Sequence, residues 1–240
     1  MGHQSSDTNA WRIRRSRRAR HVRLKVDPVD GLVVVVPTGF DERLLPALIE
    51  PQWPWIQKQL RRFGDSLRSP GTVAELPEEI TLPAAGQTWR INYATSNASS
   101  LRVTTQPDQI VRLRGPVSDR AQVRAALKRW LTRTARSHLV ERLDELGTRY
   151  GLAWARATIR YQRSRWGSCS SSGTISLNAQ LMFLPPELVR CVLLHELCHT
   201  RHMNHGPRFW ALLDSCEPDH RHLHRELCRS RARIPAWLER

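Results

Sequence analysis

The first half of the chain carries the apolar and polar spacing of β-strands, with one helical stretch between them. Residues 21–26 alternate with a period of two, residues 27–31 have turn character, and residues 32–36 form a short apolar run. This succession predicts a β-hairpin. Apolar residues at helical spacing then indicate a helix over residues 41–63, which two prolines interrupt.

A second group of short strand-like segments follows, and the pattern then changes to that of a long helix. Residues 116–119 have the character of a helix cap, and apolar residues recur at helical spacing from Val123 to Tyr150. Because the pattern changes here, we predict a β-rich region over residues 1–115 and a helical domain over residues 116–240. The strand-like segments are residues 80–82, 88–94, 101–105 and 110–113.

The last part of the chain predicts one more hairpin and a buried helix, and hence an α+β fold. Residues 158–163 and 174–177 alternate on either side of a Ser-Gly turn, which favours a hairpin. Two prolines and Glu187 then mark a helix start. The apolar residues from Leu188 to His199 predict a helix of about 15 residues.

This helix carries the sequence His195-Glu196-Leu197-Cys198-His199. Residues four apart lie on the same helix face, so both imidazoles can reach one ion. Glu196 is offset by roughly a quarter turn, which can bring its carboxylate beside the open coordination position of that ion. The spacing therefore predicts a zinc site with its own general base.

His205, six positions after His199, is the favoured third ligand. Asn204 tolerates the left-handed conformation that ends helices, so the chain can turn back there. His202 would lie about 10 Å along the axis from His195 if the helix continued. Glu217 and Glu226 stay open as alternatives, since some zinc peptidases use two histidines and a glutamate.

Five segments together resemble the YgjP-like zinc metallopeptidase family, which is similar in its catalytic region to SprT-like and WLM proteases. The match runs in order over about residues 158–215 and extends more weakly to the N-terminal region. Gly206 stands where many relatives have serine, and His202 stands where the metzincin pattern has glycine, which disfavours a metzincin assignment. The segments are residues 165–170, 175–178, 184–188, 195–199 and 204–210.

The resemblance implies a zincin-like helical catalytic domain with a small β-hairpin, placed after the N-terminal β-rich region. His195, His199 and His205 would bind Zn²⁺, and Glu196 would act as general base on a metal-activated water. The implied function is hydrolysis of peptide bonds in a peptide or protein substrate. The segment 166–178 would offer a strand edge for substrate, or would simply pack on the catalytic helix.

The group that stabilises the transition-state charge is not fixed by the sequence. A cationic or amide side chain near the motif suits this role. Four residues stay open as candidates: Arg165, Asn178, Arg201 and His202.

The net charge of +16 indicates a basic surface. A basic surface attracts polyanions, so a nucleotide or nucleic acid is a candidate partner. One alternative function is therefore a nucleoside triphosphate pyrophosphatase, although no glycine-rich phosphate cradle is present and magnesium prefers carboxylates. Another is a nucleic-acid-associated protease recruited through its basic surface, although no nucleic-acid-binding motif is recognisable.

The remaining features bear on compartment and on a second metal site. No apolar run approaches the ~20 residues of a membrane span, and no apolar segment precedes Trp11, so we expect a cytoplasmic protein without a membrane partner. Five cysteines without a CxxC pair indicate free thiols. The histidines at 220, 222 and 224 point to different sides of a predicted helix, which favours a solvated helix over a metal site. The oligomeric state is not indicated.

Overall fold

The computed structural model of the chain describes residues 11–17, 19–27, 31–63, 75–162 and 165–238. These residues belong to two compact units, Met1–Val73 and Ala74–Arg240. Within the described ranges, no helix combines the length and the apolar character that crossing a membrane requires.

The first unit is a three-stranded sheet followed by short helices. The predicted hairpin is confirmed, because β2 and β3 pair antiparallel; the sequence pattern did not reveal β1, which pairs parallel with β3. The helix predicted over residues 41–63 is divided into α1, α2 and intervening 3-10 turns, and prolines lie in the first turn of several of these pieces. The elements are β1 (Trp11–Ser16), β2 (Arg23–Asp27), β3 (Gly31–Pro37), α1 (Leu45–Ile49) and α2 (Trp53–Phe63).

The second unit begins with a four-stranded sheet in the order β4-β5-β7-β6. Strands β5 and β7 pair parallel, and the other neighbours pair antiparallel. All four strands were predicted as short strand-like segments of the sequence. They are β4 (Glu79–Leu82), β5 (Gln87–Thr95), β6 (Arg102–Gln106) and β7 (Ile110–Gly115).

The long helix α3 (Arg120–Tyr150) packs on this sheet and shares its core. The Asp119 side chain caps it by accepting the N–H groups of Ala121 and Gln122, each at 3.0 Å. Trp130 on α3 meets Trp89 on β5 edge to face, with ring centroids 5.5 Å apart. The boundary predicted after residue 115 therefore lies inside the second unit, whereas the chain divides at residue 73. The assignment of separate roles to 1–115 and 116–240 stays a prediction.

A third sheet, in the order β8-β10-β9, leads into the last helices. The hairpin predicted between residues 158–163 and 174–177 is wrong, because β8 and β10 pair parallel. The antiparallel partner of β10 is β9, three residues that lie in the stretch expected to be a loop and are too short to show alternation. The elements are β8 (Arg156–Arg160), β9 (Gly167–Cys169), β10 (Thr174–Asn178), α4 (Pro186–Cys198), α5 (Pro207–Cys216) and α6 (His220–Arg229).

The fold is α+β, with N-terminal β-sheets followed by helices, as predicted. Helix α4 runs through the core of the second unit and contacts α3, α5, α6 and β9. Its apolar residues, such as Leu194 and Leu197, are buried. This packing fixes the helix that carries the candidate site.

Candidate metal centre

Three imidazoles converge at the end of α4. His195 and His199 are one turn apart on the same helix face, and their Nε2 atoms lie 3.2 Å from each other. The chain then turns, with the Gly206 N–H donating to the Asn204 carbonyl at 2.7 Å. This turn brings Nε2 of His205 to 3.1 Å from Nε2 of His195. The candidate ligand atoms of the three histidines all lie within 4.8 Å of one another.

These distances suit a single tetrahedral ion. Zinc–nitrogen bonds of about 2.0–2.1 Å at tetrahedral angles place neighbouring ligand nitrogens about 3.3 Å apart. The spacings of 3.1 Å and 3.2 Å around His195 are close to that value. Nε2 of His195 is thus close to two other ring nitrogens. A ring nitrogen offers either one N–H or one lone pair, so a shared cation explains these two contacts better than hydrogen bonding does. An all-imidazole donor set suits zinc, so these residues fit that ion.

The ring of His199 is held in the tautomer that a metal ligand needs. Its Nδ1 lies 3.0 Å from the backbone carbonyl of His202. Since a carbonyl only accepts, Nδ1 carries the proton and donates, which leaves the lone pair on Nε2. His202, considered from sequence as a ligand, thus contributes its backbone to the site.

Aromatic residues of α5 support the three rings. Phe209 is buried, and its ring centroid lies 5.0, 4.6 and 4.7 Å from those of His195, His199 and His205. Trp210 stacks on His205 at 5.5 Å, which orients the most exposed of the three ligand candidates.

Behind Trp210 lies a supporting pair that the sequence analysis missed. Trp210 also stacks on His220 at 5.5 Å, and Nε2 of His220 lies 2.8 Å from Oδ1 of Asp214. His220 is buried, so the expectation of a solvated helix is wrong at this position. Asp214 and His220 lie only six residues apart in the sequence, on either side of the end of α5, which could have suggested the pair. Their contact depends on the turn at residues 217–219, which the sequence pattern does not predict.

Burial keeps the imidazoles of α4 neutral. Desolvation, reinforced by the neighbouring imidazoles of His199 and His205, lowers the pKa of His195 to about 3. Desolvation also lowers the pKa of His199. Two ligand candidates therefore offer lone pairs at neutral pH without first losing a proton.

Glu196 is a buried carboxylate that lines the same cavity as His195. It is 5% exposed, and its Oε2 has no hydrogen-bond partner among the described residues. Burial raises the pKa of Glu196 to about 7, while the charge of Arg165 acts in the opposite direction. An unsatisfied buried carboxylate oxygen requires an explanation, and a water or cation beside it supplies one.

Gly167 on β9 sets the position of this carboxylate. A Cβ atom at residue 167 would lie 2.6 Å from Oε1 and 2.7 Å from Cγ of Glu196. The β9 backbone can therefore pack against the Glu196 side chain only because residue 167 has no side chain. This contact shows why the short strand matters to the site.

Residues 20–230 match the family described as YgjP-like, metallopeptidase domain. The chain belongs to this YgjP-like family. Its metallopeptidase character agrees with a cluster of three histidines that could hold a metal ion.

Two solved structures are similar to part of this YgjP-like chain. One is the metallopeptidase zymogen of Pyrococcus abyssi abylysin, 21% identical with a TM-score of 0.35, covering 37% of this chain and 90% of that chain. The other is the metallopeptidase zymogen of Methanocaldococcus jannaschii jannalysin, 19% identical with a TM-score of 0.35, covering 38% of this chain and 95% of that chain. No curated protein matches the chain.

The other ligand candidates of this YgjP-like protein lie elsewhere. Glu217 is buried and pairs with Arg190, with Oε2 and Nη2 2.5 Å apart. Glu226 is exposed and lies 3.7 Å from His222. Neither glutamate belongs to the cluster that the described residues form around His195.

The four candidates for stabilising transition-state charge have different positions in the structure. The amide of Asn178 donates to the carbonyls of Gln162 and Arg165, at 2.7 and 2.9 Å. Arg201 donates to the Gly151 carbonyl at 2.8 Å. Arg165 lines the same cavity as His195 and Glu196 of α4, whereas the other three candidates do not.

Proposed function

We propose that this protein is a zinc-dependent peptidase in which Glu196 is the general base. The observation that carries the proposal is the convergence of three imidazole nitrogens around His195, which lines the same cavity as the buried Glu196 carboxylate with its unsatisfied oxygen. Membership of a metallopeptidase family supports it.

His195, His199 and His205 would hold the ion through Nε2. Zinc bound there would acidify a water ligand and polarise the substrate carbonyl. Glu196 would accept a proton at its free carboxylate oxygen from the attacking water and deliver it to the leaving amine. Its burial excludes bulk water, and Gly167 fixes its orientation.

Strand β9 is the proposed guide for the peptide. It pairs with β10 on one side and with no other described strand. An extended peptide added along the remaining edge would gain main-chain hydrogen bonds, and Gly167 would place it next to Glu196. No observation favours the pyrophosphatase or the nucleic-acid-associated protease, so neither is proposed.

The test compares peptide and nucleotide substrates with the same full-length protein. We expect hydrolysis of unstructured protein or peptide substrates, loss of this activity after chelation, and recovery on adding zinc. A panel of nucleoside triphosphates with zinc and then magnesium is the matched control. Magnesium-dependent nucleotide hydrolysis with intact peptides would contradict the proposal.

Substitution of Gly167 by alanine is expected to impair turnover without loss of metal. The new Cβ would meet the Glu196 side chain at 2.6 Å, so the carboxylate must move. Misplacement of a catalytic group by about 1 Å can reduce the rate about 10²-fold. We therefore expect a fall in kcat of that order, with the metal content of the wild type.

The matched control is Gly206→Ala. An added Cβ at residue 206 meets nothing within 4 Å, and its φ of −81° is ordinary for any residue. This variant should keep its kcat. If Gly167→Ala and Gly206→Ala have the same kcat, the contact between Gly167 and the Glu196 side chain does not position the carboxylate.

A further inference from the structure

A cavity of about 420 Å³ adjoins the metal centre. His195 and Glu196 of α4 line it, together with residues of α6 and the segment that leads into β9. Because the candidate base forms part of the wall, a substrate group that fills the cavity must lie close to the bond that is cleaved.

Much of the cavity wall is apolar. Val192 and Cys191 contribute from α4, Leu227 contributes from α6, and all three are buried. Trp166 adds an indole ring. These walls suit the methylene groups or ring of a substrate side chain, since burying apolar surface is favourable.

Two guanidinium groups also line the cavity. Arg231 lies over the Trp166 ring, with its Cζ 4.4 Å from the ring centroid, and donates to Oε1 of Gln180 at 3.0 Å. Arg165 is exposed, and its backbone carbonyl is held by the buried Asn178 amide at 2.9 Å. Among the described lining residues, Glu196 is the one carboxylate.

We propose that this cavity binds the substrate residue next to the scissile bond and selects a glutamate or aspartate side chain there. The inference rests on the proposed peptidase function and names its substrate class. The apolar walls pack against the methylene groups, and Arg165 donates to the carboxylate, because a guanidinium pairs with a carboxylate through two parallel hydrogen bonds.

The test uses quenched peptides of one sequence, with both ends blocked, that carry Glu, Gln or Lys on either side of the cleaved bond. We expect the full-length protein to prefer Glu over Gln by about tenfold or more in kcat/KM, as charge-assisted hydrogen bonds allow. Arg165→Met should bring this ratio close to one, and Arg165→Glu should favour the Lys peptide. A defect that is merely structural would lower kcat/KM for all three peptides alike.

Arg233→Glu is the matched control, since Arg233 is exposed and does not line the cavity. It should keep the wild-type preference. Equal rates for Glu and Gln, or a preference for Lys, would overturn the inference and leave the peptidase in place. Cleavage of no peptide at all would remove the proposed function and this inference with it.

Discussion

Replacement of Glu196 by glutamine should reduce kcat by about 10²–10⁴-fold, the contribution typical of a general acid–base group. Glutamine has nearly the same shape but cannot take a proton from water at neutral pH. The buried carboxylate has an oxygen without a partner among the described residues, so the substitution breaks no described hydrogen bond at that atom. We therefore expect a folded protein that retains its metal and has lost turnover.

The measurement combines kcat with metal content and the melting temperature. Glu187→Gln is the matched control, because Glu187 is exposed in the first turn of the same helix. It removes an equal charge far from the site and should leave kcat unchanged. A Glu196→Gln variant with nearly normal turnover would exclude Glu196 as the base.

The second large effect is expected for His205→Ala. Loss of one of three protein ligands leaves only the two imidazoles of α4 to hold the ion. Substitutions of groups that merely support metal ligands cost about 10–100-fold in metal affinity, so loss of a ligand should cost more than about 100-fold. Because His205 is exposed, its truncation should leave the fold intact.

His202→Ala is the control that separates the two histidines after the motif. Its backbone carbonyl accepts from His199, but its imidazole is not part of the three-histidine cluster. The variant should keep wild-type metal affinity, measured by competition with a chromophoric chelator. Loss of metal from this variant, with retention in His205→Ala, would reverse the ligand assignment.

The proximity of His195 and His199 in the candidate site could be predicted because helix geometry alone determines it. Residues four apart on a helix must share a face, so His195 and His199 could be paired without coordinates. The choice of His205 over Glu217 depended on the path of the turn after α4. Only the structure shows that this turn carries His205 back to His195 while Glu217 pairs with Arg190.

The parts that were missed depend on contacts between elements that are distant in sequence. Strand β9 is too short for a period-two pattern, so the sequence predicted β8 as the hairpin partner of β10, although these two strands pair parallel. The Gly167–Glu196 contact depends on this strand pairing. The domain boundary after residue 115 follows a change of sequence pattern and stays a prediction, and the structure adds that the β4–β7 sheet and α3 share one core.

X-ray absorption at the zinc edge of the purified protein tests the central claim most directly. We expect one zinc ion per chain, with three imidazole nitrogens at about 2.0–2.1 Å and one further light atom. The same measurement on His205→Ala should show the loss of one imidazole or of the ion. Coordination by sulfur at about 2.3 Å, or an unchanged spectrum in that variant, would contradict a metal centre formed by His195, His199 and His205.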